Sequence, residues 1–236
     1  IVAETEGGMG YMISQCLQNL MYDRNIKKQV VAIVTQVEVD KNDASMKDPT
    51  KFVGPFFKEE EVSRLVEERG WIVKEDPGRG WRRVVPSPKP LNIIEKDIIK
   101  KLLENEFIII AGGGGGIPVY IEANGWLEGI DGVIDKDLSS AVLAKDIAAK
   151  ELLILTGVEK VALNFGKPDQ KELDRMTLDE AKRYLAEGHF PPGSMGPKIE
   201  ASINFLEYGG ERVIITSIEK SVDAMSGKAG TIITAV

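Results

Sequence analysis

Three lysines and two aspartates carry the chemistry this chain could do. Lys51 lies in a proline-bounded aromatic segment, Lys136 stands between Asp135 and Asp137, and Lys198 follows Pro197 at the start of a helix. A lysine at a helix N-terminus is placed against the helix dipole, which a bound anion there would explain. Taken singly, each lysine reads as a solvated surface charge, and each aspartate as a cap, a lysine-orienting group or a ligand for Mg²⁺. Five consecutive glycines, Gly112 to Gly116, precede Asp135. Glycine tolerates positive φ and admits a ligand to the bare backbone, so such a turn can aim N–H groups at an anion.

These residues need elements to position them. Phe107 to Ala111 has the length and β-richness of a buried strand, which argues against a flexible glycine linker. Val133-Ile134 leads to Asp137, placed as N-cap of a helix carrying Leu138 and Val142. Together they describe an anion site at the open end of a parallel sheet. Two familiar phosphate signatures are excluded. No GxxxxGK[ST] occurs, and Ile117-Pro118-Val119 after the glycines does not open a GxGxxG helix.

Elsewhere, Ile1-Val2-Ala3 reads as the end of a strand. A helix from about Met9 to Tyr22 follows, with Met9, Met12, Ile13, Cys16, Leu17 and Leu20 on its apolar face and Cys16 as a small core residue. Val30 to Val39 reads as one strand. Residues 40–90, rich in proline and tryptophan, read as an inserted lobe with strands at Trp71 to Lys74 and Trp81 to Val85. Later strands are expected at Leu152 to Thr156, Val161 to Leu163, Val213 to Thr216 and Gly230 to Ala235. Thr177 and Glu180 form a capping box over Leu178 to Ala186. Alternation of strands and helices predicts an α/β fold with a mainly parallel sheet between helical layers.

Composition narrows the class. The 236 residues are 43% hydrophobic and 28% charged, the balance of a soluble globular protein. A formal net charge of −7 argues against a general nucleic-acid binder. No run is long enough to span a membrane and no signal-peptide pattern is present, so the expected compartment is the cytoplasm. One cysteine permits no intrachain disulfide. The single histidine, His189, gives no histidine metal cluster and no Ser-His-Asp triad, and reads as a loop residue.

Five motifs in order, TKFVGPFF, GGGGIPV, VIDKDLSSAVLA, GSMGPKIEA and GKAGTIIT, with GYMISQ in the first helix, resemble carbamate kinases. The resemblance covers essentially the whole chain. It implies the amino-acid kinase fold, a three-layer α/β sandwich with a small lobe, and reversible phosphoryl transfer between ATP and carbamate. ADP and carbamoyl phosphate would give ATP and carbamate, with Mg²⁺ accompanying ATP/ADP and with a homodimer as the assembly.

By that resemblance Lys136 and Lys198 contact the transferred phosphoryl group, Asp137 holds those lysines, and Lys51 comes from the lobe. Gly112, Gly113, Gly114 and Gly115 lie beside the carbamate and phosphoryl pocket. The segment from Thr156 to Lys167, including Gly157, Val158, Ala162 and Phe165, lines the nucleotide, with Met195, Pro197, Ala224, Gly227 and Lys228. Such chemistry rests on positioning and charge neutralisation, which lysines and Mg²⁺ supply. The chain departs from the family in lacking its GGNAL-like and GNGPQVG-like glycine segments. Ala3-Glu4-Thr5-Glu6-Gly7 also replaces the usual S-Q-G lead-in. A further segment before Ile1 is therefore expected. The alternatives are an impaired nucleotide-binding fragment, or an enzyme of this fold acting on another small acid.

Overall fold

The computed structural model of the chain describes residues 2–236, which divide into two compact units. Of the described residues, the first comprises 2–95 and 106–136, the second 96–105 and 137–236.

The first unit opens with helix α1 (Val2–Asp23), so Val2 and Ala3 are helical rather than the end of a strand; Ile1 lies outside the described residues. The stripe that docks is Glu6, Gly10 and Met21. Gly10 permits the approach, since a Cβ there would lie 2.8 Å from that of Ala32. The expected apolar face lies about a quarter turn away around the helix. Met9, Met12, Ile13 and Leu20 are accordingly exposed, and so is Cys16, which is not a core residue.

The expected strand over 30–39 is two, β1 (Val30–Ala32) and β2 (Gln36–Val39), which join different sheets. Three further strands, β3 (Lys51–Phe57), β4 (Ile72–Asp76) and β5 (Gly80–Val85), form an antiparallel sheet in the order β3-β5-β4, accompanied by helix α2 (Glu59–Arg69). Its aromatic residues work as platforms: Arg79 and Arg82 lie over Phe56, and Arg69 and Arg83 over Trp71. Next come β6 (Pro90–Ile93), β7 (Ile108–Ile110), β8 (Ile117–Ile121) and β9 (Leu127–Gly129). β7 runs parallel to β1, and β8 parallel to β2, with antiparallel β6 and β9 completing the order β6-β2-β8-β9.

The second unit contains α3 (Lys96–Glu104) and α4 (Lys136–Asp146), the latter beginning on the last residue of the first unit. Its sheet combines β10 (Glu151–Thr156), β13 (Arg175–Thr177), β14 (Arg212–Ser217) and β15 (Thr231–Thr234) in the order β10-β14-β15-β13; β11 (Val161–Leu163) and β12 (Lys171–Leu173) pair separately. β10 is parallel to β14 and β13 to β15, while β14 and β15 are antiparallel. Val213, Ile214 and Ile215 of β14 are all buried, so its continuous apolar run marks a strand covered on both faces.

Helices α5 (Leu178–Ala186), α6 (Met195–Glu207) and α7 (Ser221–Met225) complete the unit. The Thr177–Glu180 capping box forms as expected, Thr177 Oγ1 accepting the Glu180 N–H and Glu180 Oε2 the Thr177 N–H. Ile199, Ile203, Phe205 and Leu206 of α6 pack into a core with Ile154, Val213, Ile215 and Ile233. No helix among the described residues is long and apolar enough to cross a membrane.

Candidate active site

In the first unit the glycine run is a tight turn, not a linker. A Cβ at Gly115 would meet the Ile134 carbonyl oxygen at 2.3 Å, and one at Gly116 the Val37 Cγ2 at 2.3 Å. Both positions also have positive φ, so only glycine fits there. Several of the turn's donors are consumed internally. Gly112 N–H goes to Thr35 Oγ1 at 2.8 Å, Gly115 N–H to Gly112 O at 3.0 Å, and Gly116 N–H to Gly113 O at 3.3 Å. The N–H groups of Gly113 and Gly114 are the ones that such bonds leave over, fewer than the whole run offers on paper.

Thr35 is a residue that sequence reasoning missed. It is fully buried between β1 and β2, and its carbonyl also accepts the Ile117 N–H at 2.8 Å. No local pattern marks it, because its partners lie on α1 and across the glycine turn.

Lys51, the first residue of β3, donates to Asp135 Oδ2 at 3.0 Å, the lysine side chain 37% and the aspartate 12% exposed. Lys136, exposed, is the first residue of α4. Asp137 is therefore inside the first turn, one residue past the start of the helix, and not at the N-cap position. Within the second unit its carboxylate accepts from Lys198 Nζ at 2.9 Å, with both side chains about nine-tenths buried. Lys198 is the fourth residue of α6 and is not a solvated surface charge. Burial of a cation near a helix N-terminus is unfavourable by itself, and Asp137 supplies the compensating charge.

The start of α6 is built by a compact turn. Pro191 O accepts from both Ser194 N–H, at 3.2 Å, and Gly196 N–H, at 2.9 Å. Beside it, Thr156, Gly157, Val158, Ala162, Phe165 and Met195 line a cavity of about 260 Å³, all six on the expected list of nucleotide residues. Lys160, Pro191 and Ser194 complete the lining. Lys160 falls inside the expected segment, and the Asp174 carboxylate at 2.6 Å raises its ammonium pKa while lowering its own. Pro197, Ala224, Gly227 and Lys228 do not line this cavity. Pro197 sits in the first turn of α6, Ala224 is buried in α7, and Gly227 and Lys228 form the turn that closes α7. His189 is a loop residue, with Nδ1 3.0 Å from Asn164 Oδ1 and Nε2 3.1 Å from Glu187 Oε2.

A packed glycine turn after a parallel strand, lysines held by aspartates, and an apolar cavity at a helix start suit an α/β protein that binds small phosphate-bearing molecules. The particular family is then plain: residues 8–217 match the model of the amino acid kinase family, and the chain belongs to it. A carbamate kinase of Thermococcus kodakarensis is 53% identical over 229 residues, spanning 97% of this chain and 72% of the relative. The carbamate kinase-like protein YahI of Escherichia coli K12 is 51% identical over 231 residues, spanning 98% and 73%. Among solved structures, carbamate kinase from Giardia lamblia bound to AMP-PNP superposes with a TM-score of 0.89 at 44% identity, covering 98% of this chain and 73% of that one.

Proposed function

We propose that the chain is a carbamate kinase, transferring a phosphoryl group reversibly between carbamoyl phosphate and ADP. The observation that carries this reading is identity of 53% over 97% of the chain to a carbamate kinase. A β-phosphate oxygen of ADP attacks the phosphorus of carbamoyl phosphate, the bond from phosphorus to the carbamoyl oxygen breaks, and carbamate leaves. No covalent enzyme intermediate is needed, and the protein's task is positioning and charge neutralisation.

Lys198 and Lys136 supply positive charge to the phosphoryl oxygens, with Asp137 fixing the Lys198 ammonium. Lys51, held by Asp135, adds a further cation. Gly113 and Gly114 offer backbone donors within the glycine segment 112–115. The cavity beside α6 suits the nucleotide base, since Val158, Ala162, Phe165 and Met195 give it apolar and aromatic walls. Pro197, Ala224, Gly227 and Lys228 remain candidates for the nucleotide's outer contacts.

Mg²⁺ fits as a companion of the nucleotide phosphates. Among the described residues no three His, Cys, Asp or Glu side chains gather into a cage, and Mg²⁺ commonly binds through substrate phosphates with one or two carboxylates. A cytoplasmic homodimer is the expected setting; sedimentation at several concentrations tests the assembly. The deciding experiment measures ATP formed from ADP and carbamoyl phosphate, with and without Mg²⁺. Mg²⁺-dependent ATP formation is expected, and a protein that makes ATP only from a different acyl phosphate overturns the reading.

A further inference from the structure

Glu6 is a buried carboxyl that this reaction does not use. It lies near the start of α1 and is only 7% exposed. Its Oε2 accepts the Thr35 backbone N–H at 2.8 Å. Its Oε1 is buried and has no hydrogen-bond partner among the described residues.

The carboxyl is mechanically tied to the glycine turn. A Cβ built at Gly113 would sit 3.1 Å from Glu6 Cγ and 3.7 Å from Oε1, so the side chain lies directly against the turn. Thr35, whose N–H Glu6 holds, in turn holds the Gly112 N–H at one end of the turn and the Ile117 N–H just past the other. The Thr35 N–H is the relief that the charge receives from these surroundings. Tyr11 lines the same cavity as Glu6, the facing glycines and Thr35 are uncharged, and among the described residues the charge that acts on it is that of Glu95, also negative. Burial therefore pushes the Glu6 carboxyl above the usual carboxylate range; the Thr35 N–H pulls the other way, and Glu95 adds a further upward push.

We propose that Glu6 is a positioning residue of the glycine turn, and that its protonation state sets how tightly the turn holds an anion. The proposal rests on the reading of Gly112 to Gly115 as the carbamate and phosphoryl pocket. When ionised, Glu6 puts a negative charge behind the turn that the Thr35 N–H offsets only in part, and opposes an incoming anion. When protonated, it braces Thr35 without that opposition. Linkage makes the effect reciprocal, so an anion bound at the turn favours protonated Glu6 and its binding takes up a proton.

Sulfate is the probe, since it keeps its charge across the working range. Its binding is followed by calorimetry from about pH 5 to about pH 8, in buffers of different ionisation enthalpy. Wild type should take up protons on binding and Glu6→Gln should take up fewer. The ratio of the wild-type dissociation constant to that of Glu6→Gln should rise with pH, by up to roughly tenfold, the effect of a one-unit coupling. The KM for carbamoyl phosphate should follow the same ratio, with KM carrying more of the change than kcat. Glu6→Asp, too short to hold the Thr35 N–H, should bind more weakly yet keep a pH dependence. A purely structural role would shift affinity equally at every pH. Sulfate binding with one pH profile in wild type and Glu6→Gln overturns this inference alone. Sulfate binding to neither protein overturns the reading of the turn, and the inference with it.

Discussion

Two lysine–aspartate pairs flank Lys136 in the sequence and differ in their surroundings. Lys51 and Asp135, in the first unit, meet at 3.0 Å with the lysine side chain 37% exposed. Lys198 and Asp137, in the second, meet at 2.9 Å with side chains 10% and 9% exposed. The chemical types and lengths match and the aspartates are almost equally buried, so the burial of the lysine is what separates the pairs. Exposed pairs typically contribute about 0–1 kcal/mol, while breaking a buried one costs about 3–5 kcal/mol because a charge is left uncompensated. A lysine's worth here is thus set by the element it is built on: the first residue of β3 in one case, the first turns of α6 packed into a core in the other.

The strongest test removes Lys198. Lys198→Ala should lower kcat by about 10²–10³, the usual consequence of deleting a charge-stabilising donor. It should also destabilise the fold by about 3–5 kcal/mol, because Asp137 stays buried without its partner. Pairing Lys198→Met with Asp137→Asn removes both charges and should recover most of that stability while leaving turnover low. Urea denaturation beside ATP-formation rates separates the effects. A Lys198→Ala protein with unchanged urea midpoint would remove the distinction between the pairs.

Asp137→Asn alone comes next. Asparagine keeps the size and can accept from Lys198 Nζ, but the negative charge is gone from the first turn of α4. We expect kcat to fall by about 10², with a stability loss smaller than for Lys198→Ala, of which about 0.3–1 kcal/mol comes from the helix dipole. Full activity in this variant would reduce Asp137 to a structural partner.

This contrast also explains what was legible in the sequence. The Thr177–Glu180 capping box and the runs at 152–156 and 213–216 could be read because their signals lie within a few consecutive residues. That Thr156, Gly157, Val158, Ala162, Phe165 and Met195 share one cavity has no local signal beyond the family resemblance. The burial of Lys198 was not legible, since its partner is 61 positions away and a lone lysine carries no sign of one. Thr35 was hidden for the same reason, bonding Gly112 across 77 positions and breaking an apparently continuous valine-rich strand in two. On α1 the hydrophobic stripe gave the wrong docking face. The helix approaches β1 through Gly10, which has no side chain for a periodicity count to register.

Lys51→Ala examines the exposed pair. Asp135 is 12% exposed, close to the 9% of Asp137, but its lysine is 37% exposed, so the stability change should lie between the about 0–1 kcal/mol of a surface pair and the about 3–5 kcal/mol of a fully buried one. With its field partly screened by water, the expected loss in kcat/KM is roughly tenfold, smaller than for Lys198. A loss equal to that of Lys198→Ala would mean that Lys51 is desolvated when substrates are bound, and exposure in the unliganded chain would then be a poor guide to function.

The smallest effect sharpens the comparison by adding a third carboxyl, Glu6, which is buried like Asp137 but has no lysine. Burial raises its pKa above the ordinary carboxyl value of 4.5, against the opposing pull of the Thr35 N–H. The folded chain therefore binds this proton more tightly than the unfolded chain does. Its stabilising contribution is fully present below the unfolded value and is lost as pH rises through the folded one. Glu6→Gln, which cannot ionise, should lack that loss. The difference in urea midpoint between Glu6→Gln and wild type should therefore move in favour of the variant as pH rises from below 4.5 toward neutrality. A midpoint difference that stays constant with pH would mean that the Glu6 proton is bound equally in both states, and that one backbone N–H compensates a buried carboxylate as well as a lysine does.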